Sequence, residues 1–302
     1  MSTSTVLVTG AGGLMGRYVV AELQNHCIVR GLDLLPGAEG IEHTQGNVED
    51  YASVSEACAG CDAVIHIAAR PNIWSGSGSQ IIHTNVTGTW NVLEAAEKAG
   101  VKRVVLTSSD SVTGYTVTQG KMIAPSYLPV DAEHPLNPTD PYALSKTLCE
   151  RMGQSFAQRG ELEVLAIRPV YVLYPEFECE VLARAADPEG YVGPAAGARQ
   201  PAGGGVMWQY IDPRDLARSF RLALNSEYHG FEAYLICGPS SLTPEPTVAR
   251  LERLLGRSVE VRHPDVYKNN PFAPIYDLEH ARRAIGFEAE YDSRKRLTLG
   301  SE

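Results

Sequence analysis

Tyr142 and Lys146 are the two residues whose types and spacing best suit proton transfer. They lie four positions apart, so a helix places them on one face, one turn from each other. A phenol has a reference pKa of about 10 and is a poor base at neutral pH, but a neighbouring ammonium stabilises the phenolate and lowers that pKa. The pair can then remove the proton of a hydroxyl while the adjacent carbon loses a hydride. The same spacing is common on helix surfaces, so the surrounding sequence has to distinguish a reactive pair from a solvent-exposed one.

A serine-rich segment at the end of a predicted strand could complete this chemistry. The strand covers Arg103–Thr107, and Ser109 follows it. Its hydroxyl could hold a substrate oxygen and orient it towards Tyr142, although serine at such a position also caps turns and helices. His66 lies in another predicted buried strand and is interpreted as a hydrogen-bonded core histidine rather than a catalyst.

A glycine-rich turn near the start of the chain predicts a phosphate site. An apolar strand over 6–9 ends at Gly10, and an apolar-periodic helix begins at Leu14. Gly10 permits the sharp turn, Gly13 lets the backbone approach a pyrophosphate, and Gly16 lets the helix lie close to the strand. The pyrophosphate then meets the free N–H groups and the positive dipole end of the helix. Such a turn also occurs in proteins that bind no dinucleotide.

Asp33, which ends the second predicted strand, sharpens this interpretation. An acidic residue there hydrogen-bonds the 2′-hydroxyl of a ribose and repels a 2′-phosphate. The residues that follow, 34–36, include no arginine that could hold such a phosphate. The position favours NAD over NADP as the cofactor.

Predicted strands and helices alternate as far as Pro169, and this alternation indicates a parallel sheet with helices on both faces. The predicted fold class is α/β: a doubly wound parallel sheet, or Rossmann fold, with a smaller C-terminal substrate-binding lobe. We expect residues 1–170 to form the NAD-binding domain and 171–302 to form mainly the substrate-binding lobe. Segments near 211–237 are expected to return to the first domain.

Three other segments carry weaker structural predictions. Residues 80–99 are predicted to form one continuous helix. The proline-rich segment 125–141 is predicted to be a surface loop that crosses towards the site. Residues 259–262 are predicted to form a strand in the tail.

Composition limits the function classes. The 302 residues are 44% hydrophobic and 21% charged, which is ordinary for a globular protein. The net charge of −10 argues against a nucleic-acid partner. We expect a cytoplasmic protein, because the sequence has no apolar run near the ~20 residues that span a bilayer and starts without signal-peptide features. The six cysteines include one C-x2-C pair, Cys58 and Cys61, but no second pair at zinc spacing, so no metal site is predicted.

Several motifs together resemble the extended short-chain dehydrogenase/reductase superfamily, and in particular its NAD-dependent epimerase/dehydratase family. They occur in family order between residues 5 and about 220. The matching segments are T-G-A-G-G-L-M-G (9–16), Asp33, H-I-A-A (66–69), N-V-T-G-T (85–89), S-S (108–109), Y-A-L-S-K (142–146), R-P (168–169) and I-D-P-R-D-L-A (211–217).

The resemblance implies roles for these residues. Tyr142 would be the catalytic acid/base, Lys146 its partner, and Ser109 the hydroxyl that completes a triad. Residues expected to contact NAD are Gly10, Gly13, Leu14, Met15, Gly16, Asp33, Asn47, Val48, Ile67, Ala68, Ala69, Asn85, Thr107, Tyr142, Lys146, Arg168 and Pro169. Residues expected to contact substrate are Arg70, Ser109, Asp110, Ser111, Tyr142, Tyr171 and Trp208. The helices over 80–99 and 140–159 would pair across a homodimer as a four-helix bundle.

Departures from the family pattern bear on the substrate. Sugar-nucleotide dehydratases of this kind carry an Asp-Glu pair where this chain has Asp110 and Ser111, so elimination of water lacks its base. Epimerases usually place a phosphate-binding arginine where this chain has the segment M-W-Q-Y (207–210). They place a second one near the tail, where residues 268–274 of this chain include only a lysine. Candidate cations for a diphosphate are Arg168, Arg184, Arg199 and Lys268.

The leading hypothesis is an NAD-dependent oxidoreductase that oxidises a hydroxyl of a sugar, uronate or similar polyhydroxylated small molecule. The alternative is a sugar-nucleotide 4-epimerase, which would use the same triad and keep its NAD tightly bound. A third hypothesis is a cofactor-binding sensor, which would have no need of the complete Tyr-Lys pair.

Overall fold

The computed structural model describes residues 4–36, 40–115, 123–186, 209–227 and 229–299. The strands are β1 (Thr5–Thr9), β2 (Ile28–Asp33), β3 (Glu42–Gln45), β4 (Ala63–His66), β5 (Arg103–Thr107), β6 (Glu163–Pro169), β7 (Tyr171–Val172), β8 (Tyr210–Ile211) and β9 (Phe231–Ile236). The helices are α1 (Leu14–Leu23), α2 (Tyr51–Cys58), α3 (Gly78–Ile82), α4 (Gly88–Lys98), α5 (Pro141–Gln158), α6 (Glu178–Ala186), α7 (Pro213–Leu224), α8 (Thr247–Leu255), α9 (Pro264–Asn269), α10 (Glu279–Ile285) and α11 (Ser293–Leu299). Among these described helices, none has the length and apolar character needed to cross a membrane.

Seven strands form one parallel sheet in the order β3-β2-β1-β4-β5-β6-β9. Apolar side chains cover both faces: α1 and α7 pack on one, and α2, α4 and α5 on the other. The predicted doubly wound Rossmann sheet is confirmed. The strand order reverses between β1 and β4, and ligands of such sheets bind beyond the carboxyl ends of the strands at this switch point.

The chain returns to this sheet after leaving it at Pro169. β9 pairs in parallel with β6 along its whole length, and α7 lies beside α1. A separate two-stranded sheet joins β7 to β8, with Tyr171 opposite Tyr210. The division into domains at residue 170 stays a prediction.

The predicted continuous helix over 80–99 is interrupted. A π-helical turn, His83–Thr87, separates α3 from α4. Within this turn the side chain of Asn85 is buried and hydrogen-bonds to the backbone of Arg70 and to Ser145. Such single π-turns are frequent at functional sites, and apolar periodicity gives no signal for them.

The predicted surface loop over 125–141 is buried over 127–130, whereas residues 131–141 are mostly half-buried or exposed, as predicted. Leu128 and Val130 are fully buried, because they form isolated parallel bridges with Val261 and Tyr276 of the tail. The prediction of a strand over 259–262 is wrong, since this segment pairs only at the single Val261 bridge. These bridges bring the tail of the chain next to the end of β5.

Candidate active site and cofactor site

The glycine-rich turn has the geometry that a close backbone approach requires. Gly10 has a φ of +76°, which favours glycine, and its N–H donates to the carbonyl of Leu32 at 2.7 Å. A Cβ on Gly16 would lie 2.0 Å from the Gly10 oxygen, so only glycine lets α1 pack here. A Cβ on Gly13 would meet only that oxygen, at 3.3 Å, and otherwise occupies open space. The turn therefore has room for a phosphate group in front of α1, whose N-cap makes no side-chain hydrogen bond.

Asp33 connects the end of β2 to this turn. Its Oδ2 accepts the N–H of Gly12 and its Oδ1 accepts the N–H of Leu35, both at 2.9 Å. A carboxylate has about four lone-pair sites, so both oxygens retain capacity for ribose hydroxyls. The turn over 10–16 together with Asp33 is called the nucleotide end of the site.

The predicted reactive residues come together at the end of β5. Lys146 is buried in α5, and its Nζ donates to the backbone carbonyl of Thr107 at 2.7 Å. The same nitrogen lies 5.7 Å from the centroid of the Tyr142 ring. The Ser109 hydroxyl acts on the pKa of Tyr142, so these two side chains are neighbours. Ser109, Tyr142, Lys146 and Asp110 are called the reaction end.

The start of α5 explains why Tyr142 and Lys146 are held in place. Asp140 is the N-cap, and its carboxylate accepts the N–H of Ala143 at 2.8 Å. Pro141 follows at the first helical position, where its missing N–H costs nothing. The reactive pair therefore occupies the first two turns of a firmly capped helix.

The sequence predicts a lowered pKa for Tyr142, whereas the surroundings of its side chain in this structure act in the opposite direction. Burial raises the pKa of Tyr142 well above its usual value, the Ser109 hydroxyl offsets part of this rise, and the Asp110 charge adds to it. Burial also lowers the pKa of Lys146. The Lys146 ammonium donates to the Thr107 carbonyl and lies 5.7 Å from the centroid of the Tyr142 ring.

Asp110 is a buried carboxyl at the centre of the reaction end, with only 8% of its surface exposed. Its Oδ2 accepts the hydroxyl of Tyr276 at 3.0 Å, and its Oδ1 accepts the hydroxyl of Ser109 at 3.3 Å. Burial raises the pKa of Asp110 to about 6, against the lowering effect of these hydrogen bonds. Sequence reasoning missed Tyr276, because no motif links the tail to β5.

Arg168 does not have the role given to it as a candidate cation for a substrate diphosphate. Its Nε and one terminal nitrogen donate to the two carboxylate oxygens of Glu150, both at 2.8 Å, and both side chains are buried. Ser108 also donates to Glu150, at 2.5 Å. Because the guanidinium is already paired bidentately, this part of the prediction is wrong.

Other predicted contact residues hold the framework around the site. The amide of Asn85 is used within the protein, and the Arg70 guanidinium donates to the Thr84 hydroxyl at 3.0 Å and to the Ser75 carbonyl. The Oδ1 of Asn47 accepts the N–H of Glu49 at 3.0 Å, and Val48 packs against Gly88. Lys268, the other described candidate cation, is exposed and pairs with Asp265 at 3.0 Å.

The remaining predicted residues fall into three groups. At the start of α1, Leu14 is exposed and Met15 is buried. Directly after β4 come Ile67, Ala68 and Ala69, and the backbone of the first two lies beside Gly10. Pro169 ends β6 and Tyr171 begins β7. Trp208 lies outside the described residues, as do Arg199 and the side chain of Arg184.

Two hydroxyls near the reaction end have buried oxygens that make no hydrogen bond within the described part of the chain. They belong to Thr107 and Ser111. A buried polar atom without a partner normally costs about 1–3 kcal/mol, so these oxygens are suited to meet a bound molecule. His66 is different: its two ring nitrogens contact the hydroxyls of Thr9 at 2.7 Å and Thr89 at 3.1 Å, as a core histidine would.

A glycine-rich turn at the switch point of a parallel sheet is the place where Rossmann-type folds bind dinucleotides. Residues 6–237 match the family model described as the NAD dependent epimerase/dehydratase family. The chain belongs to this family. It is an enzyme of that type, and its cofactor is NAD.

Individual relatives give the same picture. The chain is 33% identical over 174 residues to L-arabinose 1-dehydrogenase (NAD(P)(+)) of Haloferax volcanii, covering 56% of this chain and 67% of that protein. It is 29% identical over 168 residues to uronate dehydrogenase of Pseudomonas putida, covering 54% of this chain and 59% of that protein. The structure of MoeE5 in complex with UDP-glucuronic acid and NAD is similar in fold, with a TM-score of 0.70, 24% identity, and coverage of 98% and 97% of the two chains.

Proposed function

We propose that this enzyme oxidises a hydroxyl of a sugar, a uronate or a similar polyhydroxylated small molecule with NAD. The observation that carries the proposal is the joining of Ser109, Tyr142 and Lys146 at the end of β5. The names of the arabinose and uronate dehydrogenase relatives support the substrate class. The pairing of Arg168 with Glu150 favours a substrate without a diphosphate, since it removes one candidate cation.

Each residue of the reaction end has a distinct task in this proposal. Ser109 holds the substrate oxygen, and Tyr142 removes the proton from that oxygen. Lys146 keeps α5 attached to the end of β5 through the Thr107 carbonyl. Gly10, Gly13 and Asp33 would hold NAD, which supplies the hydride acceptor.

The proposal is tested by offering the purified protein a panel of sugars, uronates and sugar nucleotides with NAD or NADP and following the reduced cofactor. Tyr142→Phe is expected to lower kcat/KM by about 10²–10⁴-fold, because the proton acceptor is lost. Tyr267→Phe is a matched control, since among the described residues this buried tyrosine donates only to the Pro274 carbonyl. A loss of less than about tenfold in Tyr142→Phe would exclude Tyr142 as the proton acceptor.

The alternative, a sugar-nucleotide 4-epimerase, uses the same residues and is favoured by the family to which the chain belongs. It would keep the hydride on its own cofactor and return it to the other face of the sugar. An epimerase copurifies with NAD and accumulates no free NADH, whereas the proposed dehydrogenase releases NADH during turnover.

We also propose that the protein is a homodimer, with α4 and α5 of each subunit meeting in a four-helix bundle. Three large apolar side chains on these helices are exposed, namely Trp90, Leu144 and Leu148. Sedimentation velocity would test the dimer. The cytoplasmic location expected from the sequence stays a prediction.

A further inference from the structure

We propose that Asp110 selects the substrate by charge: its carboxylate, beside the hydroxyl that holds the reacting oxygen, excludes uronates, so the enzyme oxidises neutral sugars. This inference rests on the proposed oxidation of a hydroxyl and narrows its substrate class. It makes Asp110 a specificity-determining residue and assigns it no part in the proton transfer.

The carboxylate of Asp110 lies close to the place where the proposed reaction occurs. Its Oδ1 accepts the hydroxyl of Ser109 at 3.3 Å. A substrate oxygen that is hydrogen-bonded to Ser109 at about 2.8 Å therefore lies within about 6 Å of this Oδ1. The Asp110 charge also raises the pKa of Tyr142, the other residue assigned to that oxygen. A charged group elsewhere on the same small molecule therefore experiences the field of this carboxylate.

The neighbours of Asp110 stabilise its charge without neutralising it. The side chains that donate to it are the hydroxyls of Ser109, and of Tyr276, which donates to Oδ2 at 3.0 Å. Burial raises the pKa of Asp110 to about 6 against the lowering effect of these hydrogen bonds, so the group is ionised at pH 8. A hydroxyl stabilises a carboxylate but carries no positive charge that would cancel it. These partners therefore orient a negative charge within the site.

The position of this charge is fixed from the tail of the chain. Tyr276 is buried, and its backbone forms an isolated parallel bridge with Val130. Asp110 is itself buried, so salt in the solvent screens its charge poorly. Two like charges about 6–8 Å apart in a protein, at an effective dielectric constant of about 20, disfavour binding by roughly thirtyfold to a hundredfold. We expect a uronate to be disfavoured to this extent.

Recognition of a uronate calls for a cation, and two arginines that the sequence linked to ligand binding are used within the protein. Arg168 pairs with Glu150, and the Arg70 guanidinium donates to the Thr84 hydroxyl at 3.0 Å. Carboxylates are frequently bound by arginine in a bidentate pair. Because both guanidinium groups have partners in the protein, neither is placed to counter the charge of Asp110.

A neutral sugar meets complementary groups beside Asp110. Ser111 follows it in the chain and is buried, and its side-chain oxygen makes no hydrogen bond within the described part of the chain. The N–H of Ser111 donates to the Ser109 oxygen at 3.1 Å, so these two residues are adjacent. A serine hydroxyl can both donate and accept, and a carboxylate accepts from a sugar hydroxyl. Asp110 and Ser111 thus suit the hydroxyls of a neutral sugar.

The first test compares three substrates that differ at one carbon: galactose, galacturonate and the amide of galacturonate, with the matching glucose series. At pH 8, kcat/KM of the parent should be at least about thirtyfold higher for the neutral sugar than for the uronate. The amide has nearly the shape of the uronate without its charge, so its kcat/KM should lie within about tenfold of that of the neutral sugar. Equal exclusion of the amide and the uronate would overturn the proposal, since shape would then be selecting.

The second test changes the residue. Asp110→Asn removes the charge but keeps an acceptor for the Tyr276 hydroxyl, so the kcat/KM ratio of neutral sugar to uronate should fall by about tenfold or more. A general loss of activity cancels in this ratio, because both substrates are measured with the same variant. Tyr276→Phe keeps the charge and loses the hydrogen bond, so its ratio should remain that of the parent.

Asp131→Asn is the matched control. Asp131 lies outside the reaction end and also accepts a tyrosine hydroxyl, from Tyr127 at 2.7 Å. Its replacement removes a carboxylate of the same kind, so the ratio of neutral sugar to uronate should stay at the parent value. A ratio that falls as far in this variant as in Asp110→Asn would overturn the proposal.

Failure of this proposal differs from failure of the proposed function. If the parent reduces NAD with no compound of the panel, the proposed function fails and the charge selection fails with it. If neutral sugars are oxidised but the matching uronates are oxidised equally well, only the charge selection fails. The same holds if Asp110→Asn leaves the ratio unchanged, or if Tyr276→Phe lowers it as much as Asp110→Asn does.

Discussion

At the nucleotide end, a ligand meets backbone N–H groups and open space. At the reaction end, it meets buried side chains. The nucleotide end is formed by residues 10–16 and Asp33, so its geometry depends on one turn and one strand. The reaction end gathers residues of β5, α5 and the tail, with Asp110 and Tyr276 far apart in the sequence. Polar groups that are buried must be matched by partners, and these partners come from distant segments.

This difference determines what a substitution disturbs. At the nucleotide end, a change that faces the open space in front of α1 affects the ligand more than the fold. At the reaction end, a side chain that loses its partner leaves a buried charge or an unsatisfied group, so stability falls together with activity.

The largest expected effect on stability is beside the reaction end, at the buried pair of Arg168 and Glu150. Arg168→Ala leaves Glu150 as an uncompensated buried carboxylate and should lower the free energy of unfolding by about 3–5 kcal/mol. Lys98→Ala removes a largely exposed ion pair with Glu94 and should cost less than about 1 kcal/mol. Urea denaturation of both variants measures the difference. Equal losses would mean that the Arg168 pair contributes no more than a surface pair.

Two glycines at the nucleotide end have different roles, since one is needed for folding and the other for binding the ligand. Gly16→Ala drives a Cβ into the Gly10 carbonyl, so we expect a loss of about 1–3 kcal/mol in the free energy of unfolding. Gly13→Ala has space, so stability should change by less than about 1 kcal/mol while NAD affinity falls about tenfold or more. Thermal unfolding and NAD titration by calorimetry measure the two quantities. Normal NAD affinity in Gly13→Ala would place the pyrophosphate elsewhere.

The smallest effect concerns the choice of cofactor. Asp33→Asn keeps an acceptor for the Gly12 N–H but removes the charge that repels a 2′-phosphate. The ratio of kcat/KM for NADP to that for NAD should rise several-fold, a change of about 1 kcal/mol. Leu35→Gln, which leaves the carboxylate intact, is the control. A ratio that stays constant in Asp33→Asn would show that Asp33 does not discriminate between the two cofactors.

The same contrast explains which features could be predicted from the sequence. The parallel sheet follows from the alternation of elements, and the glycine-rich turn and Asp33 lie in short segments whose spacing carries the information. Tyr142 and Lys146 are one helical turn apart, so their proximity is also local. Tyr276 and the pairing of Arg168 with Glu150 depend on how distant segments pack, which no local pattern records. The π-turn at 83–87 was missed because the apolar spacing around it is that of an ordinary helix.

The bridges of Leu128 and Val130 to the tail have a consequence for biosynthesis. A nascent chain emerges from its N-terminus, so the segments that form the nucleotide end leave the ribosome well before Tyr276. A cofactor could thus be captured by a half-made protein in which Asp110 still lacks one of its partners. The Asp110 carboxyl gains its hydrogen bond from Tyr276 only after the tail has docked.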